Sequence, residues 1–346
     1  MTGRTWLRRC RARVAISFVA FGSAVGGYSS VAAPLTVYVA TDGSESANGL
    51  DKQNAVATIK KAVDIAKENI RSNTSSVVVN VAPGKYENQR LKMWGTPGNL
   101  PFSLIGERIG DRRAHFIGDG TGTWVSFSSY QRDRHKIEIS GFKVSNYVTA
   151  ISINGSRKNI NNWNGGHKIQ NNLFFNIGQA NAVGRPSTAA IRLVNSRHNE
   201  ITDNEFHEIR NIKQCNLLHS IYLAHYSSFN EITRNVFDGG CGAVIKVRDA
   251  SNANKITKNR FLNQSAEPFH DSFCDRSRSS LCTKKSAECP SWNNVLEANQ
   301  VETKETKRGS GKRKLIVVKG QIQPDGCPAP VSGNARIKAS GNIYIK

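Results

Sequence analysis

The chain has 346 residues, with 48 Lys plus Arg against 26 Asp plus Glu, a formal net charge of +22 at pH 7 and 38% hydrophobic residues. A field of that sign attracts polyanions, and outside a cell the common polyanions are acidic polysaccharides, with nucleic acid second. Beyond the N-terminus no stretch is long and apolar enough to span a bilayer, which excludes a polytopic membrane protein.

The chain opens with "RTWLRRCRARVAISFVAFGSAVGG", where Arg4, Arg8, Arg9, Arg11 and Arg13 precede an apolar run from Val14 to Val25 and small residues continue to "SVAAP". That is the layout of a secretory signal peptide. The run is too short for an anchor and is broken at Gly22, Ser23 and the Gly26-Gly27 pair. Residues 1–33 are therefore expected to be removed, leaving one soluble, monomeric domain over 34–346, secreted or periplasmic and without membrane attachment. The leader holds no acidic residue and only five of the basic ones, so the basic excess belongs to the mature domain.

Next comes "NAVATIKKAVDIAKENIRS", which spaces Val56, Ile59, Val63, Ala66 and Ile70 on one helical face. A helix over 54–72 is expected, followed by a strand in "SVVVNVAPGKY" (76–86). The middle of the chain is repetitive. "HKIQNNLF" (167–174), "NEITDNEF" (199–206), "NEITRNVF" (230–237) and "NKITKNRF" (254–261) share Ile-x-x-Asn-x-Phe, with echoes at Asn299 and Asn342. Downstream of the repeats lie short apolar strands, "AAIRLV" (189–194), "HSIYLA" (219–224), "AVIKVR" (243–248) and "LIVVK" (315–319). Strands and turns recurring at irregular spacing are the grammar of a parallel β-solenoid, whose minimum turn carries loops of variable length. Each turn stacks on the last at about 4.8 Å, so Ile and Phe fill the core, and Asn172, Asn204, Asn235 and Asn259 form a hydrogen-bonded ladder at a bend. The amphipathic helix covers the raw core at the first turn.

Cys10 leaves with the leader, and Cys215, Cys241, Cys274, Cys282, Cys289 and Cys327 remain. In an exported chain they point to disulfides, although the sequence does not choose a pairing. No C-x-x-C pair supports zinc. Three of the six fall in "HDSFCDRSRSSLCTKKSAECPSW", so 265–293 is expected to be a stapled loop insertion.

"VYVATDGSESANGLDKQNAVATIKKAVDIA", "VVVNVAPGKY" and the Ile-x-x-Asn-x-Phe turns together resemble the pectate-lyase-like right-handed parallel β-helix proteins over nearly the whole mature chain. That superfamily spans lyases, hydrolases, epimerases and noncatalytic spike proteins, so the resemblance implies fold more than activity.

Residues of a strand alternate between faces. With Ile191, Leu193, Ile221, Leu223, Ile245 and Val247 inward, the outward column reads Arg192, Tyr222, Lys246, and the next reads Val194, Ala224, Arg248, flanked by His219, His225 and Tyr226. Such a face suits β-elimination on a uronic acid polymer, which needs a neutralised carboxylate, a base and an acid. Arg or Lys meets the first need, and His, Tyr or Lys the others. Each cation can equally be an ordinary surface charge.

"VRDASNANKITKNRF" resembles the Arg-bearing turn of the chondroitinase B and alginate lyase family, and Arg248 falls where that family carries its catalytic arginine. "HYSSFNEITRNVF" is similar to the family's lysine-bearing turn, with Tyr226 in the lysine's place, and Asp249 replaces the His after the arginine. The family's calcium-holding acids have no match in "LLHSIYLAHYS", which offers His219 and Ser220, so no cofactor is assigned and calcium is the one ion the resemblance would bring. Arg248 alone is transferred. Tyr222, His219, His225 and Tyr226 stand as alternatives for base or acid, Lys246 as a second carboxylate neutraliser, and Arg192, Asp249 and His270 as substrate-binding candidates.

The expectation is thus a polysaccharide lyase acting on an acidic, uronate-containing polymer. A glycoside hydrolase of the same fold is less supported, because hydrolysis needs two nearby carboxyl groups and the outward face supplies Asp249 with few obvious partners, Glu208 and Asp238 lying in turns or loops. A noncatalytic polyanion binder is the third reading. Nucleic acid is disfavoured by export and by the absence of a recognition motif.

Overall fold

The computed structural model describes residues 32–178, 188–211, 214–273, 288–302, 314–319, 327 and 336–345. The leader reading, apart from Ala32 and Ala33, lies outside them, as do Cys274 and Cys282.

Short strands build three long sheets, and within the coil every neighbouring pair runs parallel, giving a right-handed parallel β-helix. The repeated motif supplies two of the three strands of each coil. In "NEITRNVF", Glu231–Thr233 belongs to the first sheet and Val236–Asp238 to the second. The bend between them needs one residue in the left-handed region, taken by Asn171, Asp203, Arg234, Lys258 and Ala298 at φ between 53° and 57°. The next residue is the repeat Asn. Its Nδ2–H donates to the following coil's Asn Oδ1 at 2.9–3.1 Å from Asn172 through Asn204, Asn235, Asn259 and Asn299 to Asn342. The same Oδ1 also accepts the preceding coil's backbone N–H, so the bend leaves no orphan donor.

The Ile of each repeat (Ile169, Ile201, Ile232, Ile256) is fully buried, and Phe174, Phe206, Phe237 and Phe261 stack with centroids 4.8–5.1 Å apart. Each such side chain contributes about 1.5–3 kcal/mol of burial.

The capping helix is shorter than expected, Ile59–Asn69. Thr58 caps it by accepting from the Lys61 N–H, Val56 instead bridges Val39, and Ile70 is already extended. Ile59, Ala62, Val63, Ile65 and Ala66 are buried with Val37, Val39 and Val77 in one core cluster. The strand expected at 76–86 is two, Thr74–Val81 and Gly84–Glu87.

The third sheet carries Leu91–Trp94, Thr123–Ser128, Thr149–Asn154, Ala189–Val194, His219–Ala224, Ile245–Val247, Phe269–Ser272 and Ile316–Lys319 in spatial order. Phe269–Ser272 corrects the stapled-loop reading of 265–293, since the start of that segment is a strand of the coil. Its inward position holds Asp271, which pairs with Arg336, and burial pushes the Asp271 carboxyl up to about 6 although Arg336 opposes the shift. Cys215 pairs with Cys241 and Cys289 with Cys327. The first pair ties together the segments that lead into His219–Ala224 and Ile245–Val247.

Candidate active site

Register on the third sheet places Lys92, Ser126, Ser152, Arg192, Tyr222, Lys246 and His270 in one outward column. Arg192, Tyr222 and Lys246 stand together as the alternation predicts, and His270 joins them as the next member of the column instead of reaching over it from a loop. The column is not an open surface. Tyr222, Lys246, His270 and the adjacent His219 are each only 5–9% exposed. A cation, a phenol and two imidazoles held out of water at this spacing interact far more strongly than they would at a surface.

Strict alternation would turn His219 inward with Ile221 and Leu223. Instead the N–H groups of Ser220 and Ile221 both donate to the Val244 carbonyl, at 2.9 and 3.1 Å. This bulge-like irregularity re-aims the preceding side chain, and the His219 ring stacks on Tyr222 with centroids 5.9 Å apart. His219 Nδ1–H donates to the Ala243 carbonyl at 2.6 Å, which fixes the tautomer and leaves Nε2 as the basic nitrogen. Burial, reinforced by Lys246, lowers its pKa to about 3, so the ring is neutral near pH 7.

Burial also raises the Tyr222 phenol above its ordinary value, against the pull of Arg248. Arg248 lies just past the short strand, its N–H bonded to Leu223 O. Burial works against its charge, but Tyr222 and Glu288 outweigh that and raise its pKa. Its Nε donates to Glu288 Oε2 at 2.7 Å. Arg192 is lowered by burial, with Tyr222 opposing.

On the far side of Lys246, His270 Nδ1 pairs with Glu267. Burial lowers the His270 pKa in spite of that carboxylate, and its Nε2 is buried with no hydrogen-bond partner among the described residues. Burial pushes against the charge of Glu267, but His270 and Lys246 hold its pKa below the usual value.

His225, Tyr226 and Asp249 belong to the turns that follow the strands, all at positive φ. His225 Nδ1 and Asp249 Oδ2 are 2.6 Å apart, and Asp249 Oδ1 accepts the Cys289 N–H at 3.0 Å. These two residues thus hold each other and the segment carrying Glu288. Tyr226 is raised by burial and then by Asp249.

Glu267, Glu288 and Arg157, whose charge reaches Tyr222 and Arg192, complete the surroundings and were not singled out from the sequence. Glu267 had a signal, because it stands three residues before His270, itself one coil beyond Lys246. Among the described residues no group of three or more His, Cys, Asp or Glu is arranged to hold a metal, so the residues here do not fit the calcium that the family resemblance would bring. Nor is any described helix long and apolar enough to cross a membrane.

No family model matches the chain, and no curated protein matches it. Solved structures do. An alginate lyase from Paenibacillus sp. str. FPU-7 is similar at TM-score 0.51 and 10% identity, over 90% of this chain and 95% of that one. The catalytic domain of a GH87 alpha-1,3-glucanase in complex with nigerose matches at 0.48 and 13%, over 83% of this chain and 52% of that one. A pectate lyase matches at 0.44 and 10%, over 90% and 80%. The shared feature is the parallel β-helix, the fold expected from the repeats. At these identities the likeness speaks to fold alone.

Proposed function

We propose that the protein is an exported polysaccharide lyase that cleaves a uronate-containing polymer by β-elimination. The observation that carries the reading is the outward column in which half-buried Arg192 and buried Tyr222, Lys246 and His270 follow one another with His219 stacked on Tyr222.

The roles follow from the chemistry of each group. Lys246 and Arg248 bind the uronate carboxylate, with the incoming carboxylate replacing Glu288 as the partner of Arg248; neutralising it acidifies the neighbouring carbon. His219 Nε2 takes the proton from that carbon. A carboxylate beside the ring raises its basicity from the depressed resting value. The bond from the next carbon to the glycosidic oxygen then breaks as the carbon–carbon double bond forms, and the Tyr222 hydroxyl, kept protonated by burial, gives its proton to the leaving oxygen. Arg192 extends the cationic floor to the neighbouring sugar. His270, oriented by Glu267, is the alternative base.

The test is ultraviolet absorbance of the unsaturated uronate product. Purified protein is incubated with alginate, pectate, chondroitin, hyaluronan and glucuronan, each with and without calcium. Absorbance rising on one polymer establishes elimination and names the substrate. A flat trace on all of them overturns the lyase reading.

A second reading has its own support. Glu267 pairs with His270 of the column and Glu288 with Arg248 beside it, and two carboxyl groups are what hydrolysis requires. New reducing ends without unsaturated product would establish it.

A further inference from the structure

The same outward face continues away from the charged column toward the N-terminal coils, and its character changes. Trp94 follows Lys92 by two residues and so shares its face; it is paired in register with Ser128, next to Ser126. It is 69% exposed, and its ring meets Tyr130, itself 43% exposed, edge-on at 4.8 Å between centroids. A large aromatic pair left in water, Trp94 at the end of its strand and Tyr130 two residues past the end of the next, is the informative kind of exposure, and it marks a contact surface. Between it and Arg192 the face is lined by short polar side chains, Ser126, Ser128, Ser152 and Asn154, with Ser152 Oγ donating to Asn154 Oδ1 at 3.2 Å. Four strand steps separate the coil of Trp94 from that of Tyr222, about 20 Å at the sheet spacing.

We infer that Trp94 and Tyr130 form a distal sugar-binding platform, which stacks on a pyranose ring of an acidic polysaccharide chain lying along the sheet and holds that chain in line with the cationic column. Each feature of the face has a matching feature in such a chain. The hydrophobic C–H face of a pyranose suits an aromatic ring, the short hydroxyl and amide side chains of the floor suit sugar hydroxyls, and Lys92 and Arg192 suit carboxylates. One coil advances by a length comparable with one pyranose residue, so successive sugars meet successive coils. The platform lies several sugars from the proposed chemistry and acts on affinity and on the minimum length of substrate. The inference rests on the proposal that the column receives a uronate polymer.

The test is affinity electrophoresis of the full chain through gels cast with alginate, with polygalacturonate, with a neutral glucan and with no polymer. The wild type is compared with Trp94→Ala, Tyr130→Ala and Trp94→Phe, and thermal melting of each variant reports that it is folded. The expected result is wild-type retardation by an acidic polymer, weakened on the order of tenfold in Trp94→Ala, less in Tyr130→Ala, and largely kept in Trp94→Phe. Equal retardation of folded wild type, Trp94→Ala and Tyr130→Ala overturns the platform while leaving the column's reading intact. Retardation by neutral glucan alone, lost in Trp94→Ala, supports sugar stacking and overturns the acidic polymer as occupant. No retardation in any gel overturns both. Concentration-dependent self-association of the wild type that Trp94→Ala abolishes also overturns the platform, because the pair would then be covered by a second copy.

Discussion

Two columns run along this coil, built by the same stacking and made of opposite materials. At the bend between the first and second sheets, every coil from Asn172 to Asn342 presents the same residue, and each amide satisfies the next. On the outer face of the third sheet the column reads Lys, Ser, Ser, Arg, Tyr, Lys, His, and no single residue type runs its length. The uniform column stores stability. The mixed one places charges and titratable groups out of water, an arrangement that contributes little to folding and much to chemistry.

The largest expected effect lies in the mixed column. Lys246→Ala and Arg248→Ala should each lower turnover on the polymer by about 10²–10³-fold, the usual loss when a transition-state charge stabiliser is removed. Initial rates of unsaturated product measure this. A variant that keeps wild-type turnover while losing affinity in a salt-dependent way would make the column a binding surface.

In the uniform column the loss should be of stability. Asn235→Ala removes the acceptor of the Asn204 N–H and Nδ2–H and the donor to Asn259, Ile201 O and Thr233 O. The buried Asn204 N–H is left without a partner, while Asn204 Nδ2 keeps Ile169 O and Thr202 O, and about 2 kcal/mol is expected in urea unfolding. Asn342→Ala leaves Asn299 in the same position at the less buried end of the ladder, where water can substitute, so about 1 kcal/mol is expected there.

What the sequence made legible follows the same division. Ile, Asn and Phe of the repeat were readable as core and ladder because identical residues recur at positions that only stacking can align. The same repeats carry a second ladder, in which Asn199, Asn230, Asn254 and Asn294 bond in series at 2.7–3.0 Å. The strand Phe269–Ser272 was hidden because Asp271 stands where earlier coils place an aliphatic residue, so the apolar alternation that marks a strand is broken. Alternation also could not reveal the doubled N–H contact at Val244 that turns His219 outward. Arg192, Tyr222 and Lys246 were aligned correctly by counting alone, but the burial of Tyr222 and Lys246 was not readable, since what surrounds them comes from outside the repeats.

His167 heads that second ladder, and it offers a sharper comparison. Its Nδ1 accepts the Ile137 N–H at 3.2 Å, as an Asn Oδ1 does elsewhere, and its Nε2–H faces Asn164 Oδ1 at 3.3 Å. Burial lowers its pKa from 6.5 to about 3. Between those values the unfolded chain binds a proton that the folded chain refuses. The contribution is therefore full above about pH 6.5 and is lost as pH falls toward 3, amounting to about 2 kcal/mol by pH 5. His167→Asn continues the ladder without a titrating group and should remove that share of the acid slope in unfolding measured at pH 7 and pH 5. His115 and His219, also lowered by burial, keep theirs.

The smallest effect is expected where the repeat varies without consequence. Arg234 occupies the left-handed bend before Asn235 at φ 55° and pairs with Asp203 at the surface. Arg234→Gly relieves a backbone cost of about 1–2 kcal/mol, but it frees the unfolded chain by about 0.5–1 kcal/mol and gives up an exposed, solvent-screened ion pair. These offset, so the change in unfolding free energy should stay within about 1 kcal/mol. Arg234→Val keeps the bend and makes it worse, because a β-branched side chain crowds the left-handed region, and it should unfold at lower urea than Arg234→Gly. If Val were as stable as Gly, the bend would owe its shape to the Asn235 amide alone, and the residue before it would be free of conformational demand.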